Sequence, residues 1–123
     1  MKTILIVDDE PALREALVEL LNEEPNYTVL QAEHGVAALQ ILKSEQIDLM
    51  LLDVNMPFLN GVGVIKKMQA EPDEYIQPEI LILTNSEDME MVSQMVTLNV
   101  HDYLIKSDHS LDEIIKMVRN KLA

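Results

Sequence analysis

Cysteine and tryptophan are absent from the 123 residues, and phenylalanine occurs once. Without thiols, disulfides and thiolate zinc sites are excluded, a composition compatible with a reducing cytoplasm. Cations are scarce as well. Nine Lys and Arg stand against 22 Asp and Glu, giving a formal charge of −13. DNA or an anionic membrane is held by clustered Lys and Arg, so this balance argues against both and favours cationic partners, metal ions included. No apolar run reaches the ~18 residues of a membrane span, and the amino terminus lacks a signal-peptide pattern. The expectation is a cytoplasmic protein without membrane insertion. With three Tyr and eight Met, the core is expected to be aliphatic. One domain over residues 1–123 is expected, a length that buries about two-thirds of the unfolded surface.

What is present is a set of short apolar runs that end in charge. Leu49-Met50-Leu51-Leu52 is continuous and stops at Asp53, the pattern of an inner parallel strand covered on both faces. Pro57 and Gly61 then mark a turn. Thr3–Val7 forms a similar run ending in Asp8-Asp9-Glu10. Pro11 suits the first turn of a helix, and Leu13, Ala16, Leu17, Leu20 and Leu21 continue it to about Asn22. Tyr27–Ala32 reads as a weaker strand near an edge. Gly35 precedes a helix with Ala38, Leu39, Ile41 and Leu42 inward. After Gly61, Val62, Ile65 and Met68 mark a third helix. Ile80–Thr84 is a fourth strand, and Asn85 or Ser86 is expected to cap the helix after it. That helix should turn Val92, Met95 and Val96 inward, with Asn99 in a left-handed cap. Asp102–Lys106 closes a fifth strand. Ser110-Leu111-Asp112-Glu113 matches a capping box, followed by the stripe Leu111, Ile114, Ile115, Val118 and Leu122.

Strands and helices thus alternate five times. Such alternation predicts right-handed crossovers and an α/β, doubly wound parallel sheet with five helices, and the strand order expected for it is the flavodoxin-like 2-1-3-4-5. Asp8 and Asp9 would then lie beside Asp53 at the switch point, with Thr84 and Lys106 on the next two strands. Three carboxylates about 4 Å apart repel by roughly 4 kcal/mol per pair at an effective dielectric of 20. A bound cation or a raised pKa relieves this. All-oxygen ligands at an open loop edge suit Mg²⁺. Lys106 and the Thr84 hydroxyl can meet an anion at the same place, and the whole set suits phosphoryl transfer to a carboxylate. Singly, each residue has a plain structural alternative: a turn or helix cap for Asp53, a solvated cap for Asp8 and Asp9, an exposed strand end for Lys106, a packed methyl for Thr84. Their shared place at the carboxyl ends of strands favours the site.

Ile6-Val7-Asp8-Asp9, Asp53-Val54-Asn55-Met56-Pro57 with Gly61, the strand-terminal Thr84 and Tyr103-Leu104-Ile105-Lys106 resemble the receiver domain of two-component response regulators, and single-domain chemotaxis-type regulators in particular. The resemblance spans the chain with matching spacing. It implies that Asp53 accepts a phosphoryl group from a phosphohistidine on a sensor histidine kinase or histidine phosphotransfer protein. It implies that Asp9, Asp53 and the Asn55 carbonyl ligate Mg²⁺, with Asp8 acting through water, and that Lys106 and Thr84 contact the phosphoryl oxygens. Tyr103 resembles the aromatic switch residue read by a downstream protein partner at the face of the fourth helix, fifth strand and fifth helix. Such a domain promotes its own phosphorylation and dephosphorylation rather than turning over an external substrate.

Ser107 stands where the family has a proline after a cis bond. A cis bond before a non-proline residue costs about 2.5–4 kcal/mol, so Lys106-Ser107 is expected to be trans. Asn85 replaces a commonly smaller residue beside Thr84, narrowing access, and Asn99-Val100 stands where Gly-Ala is frequent. Three other classes compete. A haloacid dehalogenase-type phosphatase needs D-x-D after the first strand, where this chain has Glu10. A flavodoxin-like cofactor binder needs a Gly/Ser/Thr-rich first loop, where three acids would repel phosphate. A degenerate receiver acting as a protein-binding scaffold is opposed by the intact acids, while Ser107 in place of the proline leaves it open as the alternative. His34, His101 and His109 are scattered, with no metal role expected.

Overall fold

The computed structural model describes residues 1–123. Its elements in chain order are β1 Lys2–Val7, α1 Pro11–Asn22, β2 Tyr27–Ala32, α2 Gly35–Ser44, β3 Leu49–Asp53, α3 Gly61–Ala70, β4 Glu79–Thr84, α4 Met89–Thr97, β5 Tyr103–Ile105 and α5 Leu111–Leu122. The strands form one parallel sheet of order β2-β1-β3-β4-β5. β1 sits between β2 and β3, pairing Leu5 with Leu30 on one side and with Met50 on the other. Each crossover carries a helix back over the sheet, as right-handed parallel connections require.

The period-2 side-chain alternation of the inner strands feeds two aliphatic layers. Ile4, Ile6, Leu49, Leu51, Leu81 and Leu83 pack under α1 and α5, against Leu17, Leu21, Ile114, Ile115 and Val118. Leu5, Val7, Met50, Leu52 and Ile82 face the other way, toward α2, α3 and α4 through Ala38, Leu39, Val64, Ile65, Met68 and Met95. β3 is buried along its whole length, in keeping with its unbroken apolar sequence. The Ser110–Glu113 capping box forms in both directions, and Asn99 takes a φ of 66° at the end of α4.

Three expectations require correction. Val96 is 42% exposed rather than inward, because α4 is only nine residues long and meets the sheet along the Val92–Met95 side. Neither Asn85 nor Ser86 caps α4 by its side chain. A 3₁₀ turn at Ser86–Asp88 intervenes and begins the winding instead. β5 is shorter than its apolar run suggested, since Asp102 lies before it and Lys106 opens a second 3₁₀ turn, Lys106–Asp108. Every peptide bond is trans, Lys106-Ser107 included.

Candidate functional site

The carboxyl ends of β1 and β3 meet at the point where the strand order reverses, the place where open α/β sheets bind ligands. Asp8 and Asp9 follow β1 and Asp53 ends β3. One carboxylate oxygen from each lies within 4.8 Å of the other two. Asp8 is fully buried and Asp53 is 1% exposed, while Asp9 is open to solvent. Lys106 enters from the turn that follows β5. Its Nζ lies 2.9 Å from Asp8 Oδ2, 3.3 Å from Glu10 Oε1 and 3.5 Å from Asp53 Oδ2.

Local backbone bonds fix these side chains. The Glu10 N–H donates to Asp8 Oδ1 at 2.9 Å, and the Asn55 N–H donates to Asp53 Oδ1 at 3.3 Å. Arg14, on α1, is buried and donates from Nη1 to the Asp8 carbonyl at 2.9 Å and from Nε to Gln31 Oε1 at 3.0 Å. The loop after β3 is held by the Gly61 N–H donating to the Val54 carbonyl, 3.0 Å. Gly61 has no room for a side chain, since a Cβ would lie 2.8 Å from the Asp53 carbonyl oxygen. Before it, the Leu59 N–H donates to the Pro57 carbonyl at 2.8 Å across Phe58, whose φ is 68°. This is a γ-turn of the strained, positive-φ kind, and it leaves Phe58 95% exposed at the same edge of the sheet.

Electrostatics follow from this crowding. Burial, and next the negative charge of Asp8, push the Asp53 carboxyl up from 3.8 to about 7, against the opposing pull of Lys106. For Lys106, burial alone would lower the ammonium pKa. The attraction of Asp53, Asp8 and Glu10 outweighs it, and the net direction is upward. Asp8 Oδ2 has no hydrogen-bond partner although it is buried, its contact with Lys106 being an ion pair without bonding alignment. Three clustered carboxylates facing a single ammonium leave a surplus of negative, oxygen-only ligands, which is what a hard divalent cation requires. The donor set fits Mg²⁺.

Of the residues singled out in the sequence, Asp8, Asp9, Asp53 and Lys106 fall together, with Asn55 joined to Asp53 through its N–H, whereas Thr84 and Tyr103 make no contact with the cluster. Thr84 is buried at the end of β4, its hydroxyl donating to the Asn85 carbonyl at 2.9 Å rather than toward the acids. Tyr103 is 44% exposed on β5, turned outward. Glu10 and Arg14 were not foreseen as site residues. Glu10 was legible as the third acid of a run. Arg14 sits one turn into a helix whose apolar stripe surrounds it, and nothing in the pattern marks it as buried.

Carboxylates and an ammonium gathered at the switch point of a doubly wound sheet define a class, the α/β domains that handle phosphoryl groups with a divalent metal. Comparison with known proteins narrows it. The response regulator receiver domain profile matches residues 4–119, and the chain belongs to that family, the receiver domains of two-component response regulators. It is 34% identical over 119 residues to sporulation initiation phosphotransferase F of Bacillus subtilis, covering 97% of this chain and 92% of that protein. A chemotaxis protein CheY homolog of Campylobacter jejuni is 33% identical over 104 residues, 84% of this chain and 79% of its own. Among solved structures, the response regulator protein TrrA from Thermotoga maritima in complex with Mg(2+)-BeF aligns with a TM-score of 0.77 at 34% identity, covering 98% of this chain and 99% of that one. The domain is thus a phosphoacceptor signalling module, and no helix is long and apolar enough to cross a membrane.

Proposed function

We propose that Asp53 is the phosphoacceptor, and that residues 1–123 work as one cytoplasmic receiver unit in a phosphorelay. The observation that carries this reading is the setting of Asp53: nearly inaccessible, pushed up to about 7 by burial and Asp8, within 3.5 Å of Lys106 and in one cluster with Asp8 and Asp9. Asp9, Asp53 and the Asn55 carbonyl would hold Mg²⁺, with Asp8 one shell out. The ion supplies charge neutralisation for the carboxylates and for the oxygens of the transferring group.

In the reaction an Asp53 oxygen forms a bond to phosphorus while the bond from phosphorus to the donor imidazole nitrogen breaks. The imidazole leaves with the electron pair. Lys106 meets one phosphoryl oxygen, and Thr84, once released from the Asn85 carbonyl, meets another. A phosphoryl group adds about −1.5 to −2 charges and three acceptors, so it favours whichever arrangement brings Thr84 and Lys106 closer. Tyr103 reports that change by moving from its exposed position toward the space Thr84 vacates. The donor is a phosphohistidine on a sensor kinase or phosphotransfer protein, and the reader is a protein docking near α4, β5 and α5.

The test is intact-mass spectrometry after incubation with acetyl phosphate. Wild type should gain one phosphoryl group only when Mg²⁺ is present, and Asp53→Asn none. Equal labelling of the two proteins would end the assignment.

A further inference from the structure

Lys106 offers three N–H bonds, and in this structure three carboxylates surround them: Asp8 at 2.9 Å, Glu10 at 3.3 Å and Asp53 at 3.5 Å. Two of the three partners cannot withdraw. Asp8 is fully buried and locked by its bond from the Glu10 N–H. Asp53 ends a fully buried strand and is itself the group that carries the incoming phosphoryl. Glu10 differs from both. Its side chain is about half exposed, free to swing into water. It occupies the position that opens α1, where Ser, Thr, Asp or Asn would accept from the first turn, yet its side chain makes no such cap and turns to Lys106 instead.

The lysine also needs a holder more than a strand residue would. β5 ends at Ile105, and Lys106 opens a 3₁₀ turn with a trans bond to Ser107. Its reach is set by side-chain contacts rather than by the sheet. The Lys106 ammonium hydrogen-bonds Glu10 across 96 residues of sequence.

We infer that Glu10 is a positioning residue for Lys106: a displaceable carboxylate that holds the ammonium at the mouth of the pocket in the resting state and yields it to the phosphoryl group. The inference rests on Asp53 being the phosphoacceptor. When acetyl phosphate reacts, an Asp53 oxygen bonds to phosphorus, acetate leaves with the electron pair of the broken P–O bond, and a phosphoryl oxygen takes the place of Glu10 on Lys106. Glu10 thereby opposes phosphorylation twice, by occupying the lysine and by repelling an anionic donor at the mouth.

Glu10→Gln keeps the volume and removes the charge. The rate of Asp53 labelling by acetyl phosphate in saturating Mg²⁺ should rise about two- to fivefold, the scale of a half-exposed ion pair. The labelled state should also last longer, since Lys106 is no longer contested. A lesion that merely loosened the β1–α1 loop would lower the rate, so the sign separates the two roles. Glu33→Gln serves as the comparison, because Glu33 is an exposed acid just past the end of β2 whose ion pair is with Arg14, not Lys106. An unchanged or slower rate in Glu10→Gln overturns the inference, and so does an equal acceleration in Glu33→Gln. Failure of wild type to label at all counts against the phosphoacceptor reading instead.

Discussion

Asp53→Asn should stabilise the metal-free protein. Asp53 has its pKa raised from 3.8 to about 7 in the fold, so between those values the native state holds a proton that the unfolded chain has lost. Stability attributable to this group is present below about pH 4, is lost as pH rises toward 7, and stays lost above. A rise of that size corresponds to about 4 kcal/mol. The opposing attraction of Lys106 is already contained in that net figure. Asn resembles the protonated carboxyl, so at about pH 8 without metal the variant should exceed wild type by about 2–4 kcal/mol. For a domain of this size the melting midpoint should rise by about 10 °C. Urea or thermal unfolding in EDTA at pH 5 and pH 8 measures it, and titrating groups remote from Asp53 cancel in the difference between the two proteins. Saturating Mg²⁺ should close most of the gap by stabilising wild type alone. The reasoning fails if the metal-free variant is no more stable than wild type at pH 8, or if the gap does not widen from pH 5 to pH 8.

The same proton competes with metal. Mg²⁺ affinity, followed by calorimetry, should weaken about tenfold for each pH unit below about 7, and a flat profile would contradict the raised Asp53. Lys106→Met should leave metal binding intact or tighter, since an ammonium is removed beside the ligands, while phosphorylation no longer shifts the Tyr103 ring resonances; an unaltered response of those resonances would remove Lys106 from the switch. Leu52→Ala takes a fully buried side chain out of the centre of β3 and should cost about 2–5 kcal/mol in urea unfolding, a loss under about 1 kcal/mol being inconsistent with the packing. Phe58→Gly relieves the positive φ of an exposed residue and should be neutral or stabilising by about 1 kcal/mol, where glycine elsewhere in a loop would weaken the fold.

The inner strands were readable because buried parallel strands announce themselves: Leu49–Leu52 and Ile4–Val7 are unbroken apolar runs, and each ends in an acid of the cluster. Given the order 2-1-3-4-5, the alternation of elements places Asp8, Asp9 and Asp53 together. Lys106 was legible as the last residue of a strand, although the strand proved too short to hold it. Contacts made by flexible side chains left no trace in the pattern. The pairing of Glu10 with Lys106 and of Arg14 with the Asp8 carbonyl depends on distances across the sheet edge, not on spacing. Val96 was misplaced for a related reason. A nine-residue helix presents too narrow a stripe for apolar content alone to tell its inner face from its outer one, and Val96 follows the buried Met95 directly.

Strand order also governs when the chain becomes competent during synthesis. β1 is made first but its inner neighbour is β3, so Asp8 and Asp9 wait until Asp53 has emerged before they have a pocket to share. The ammonium that balances them arrives later still, just past the last strand. A nascent or truncated polypeptide ending before residue 106 would present the acids without the Lys106 ammonium. The full set of charges at this edge of the sheet is thereby assembled only once the turn after β5 has been made.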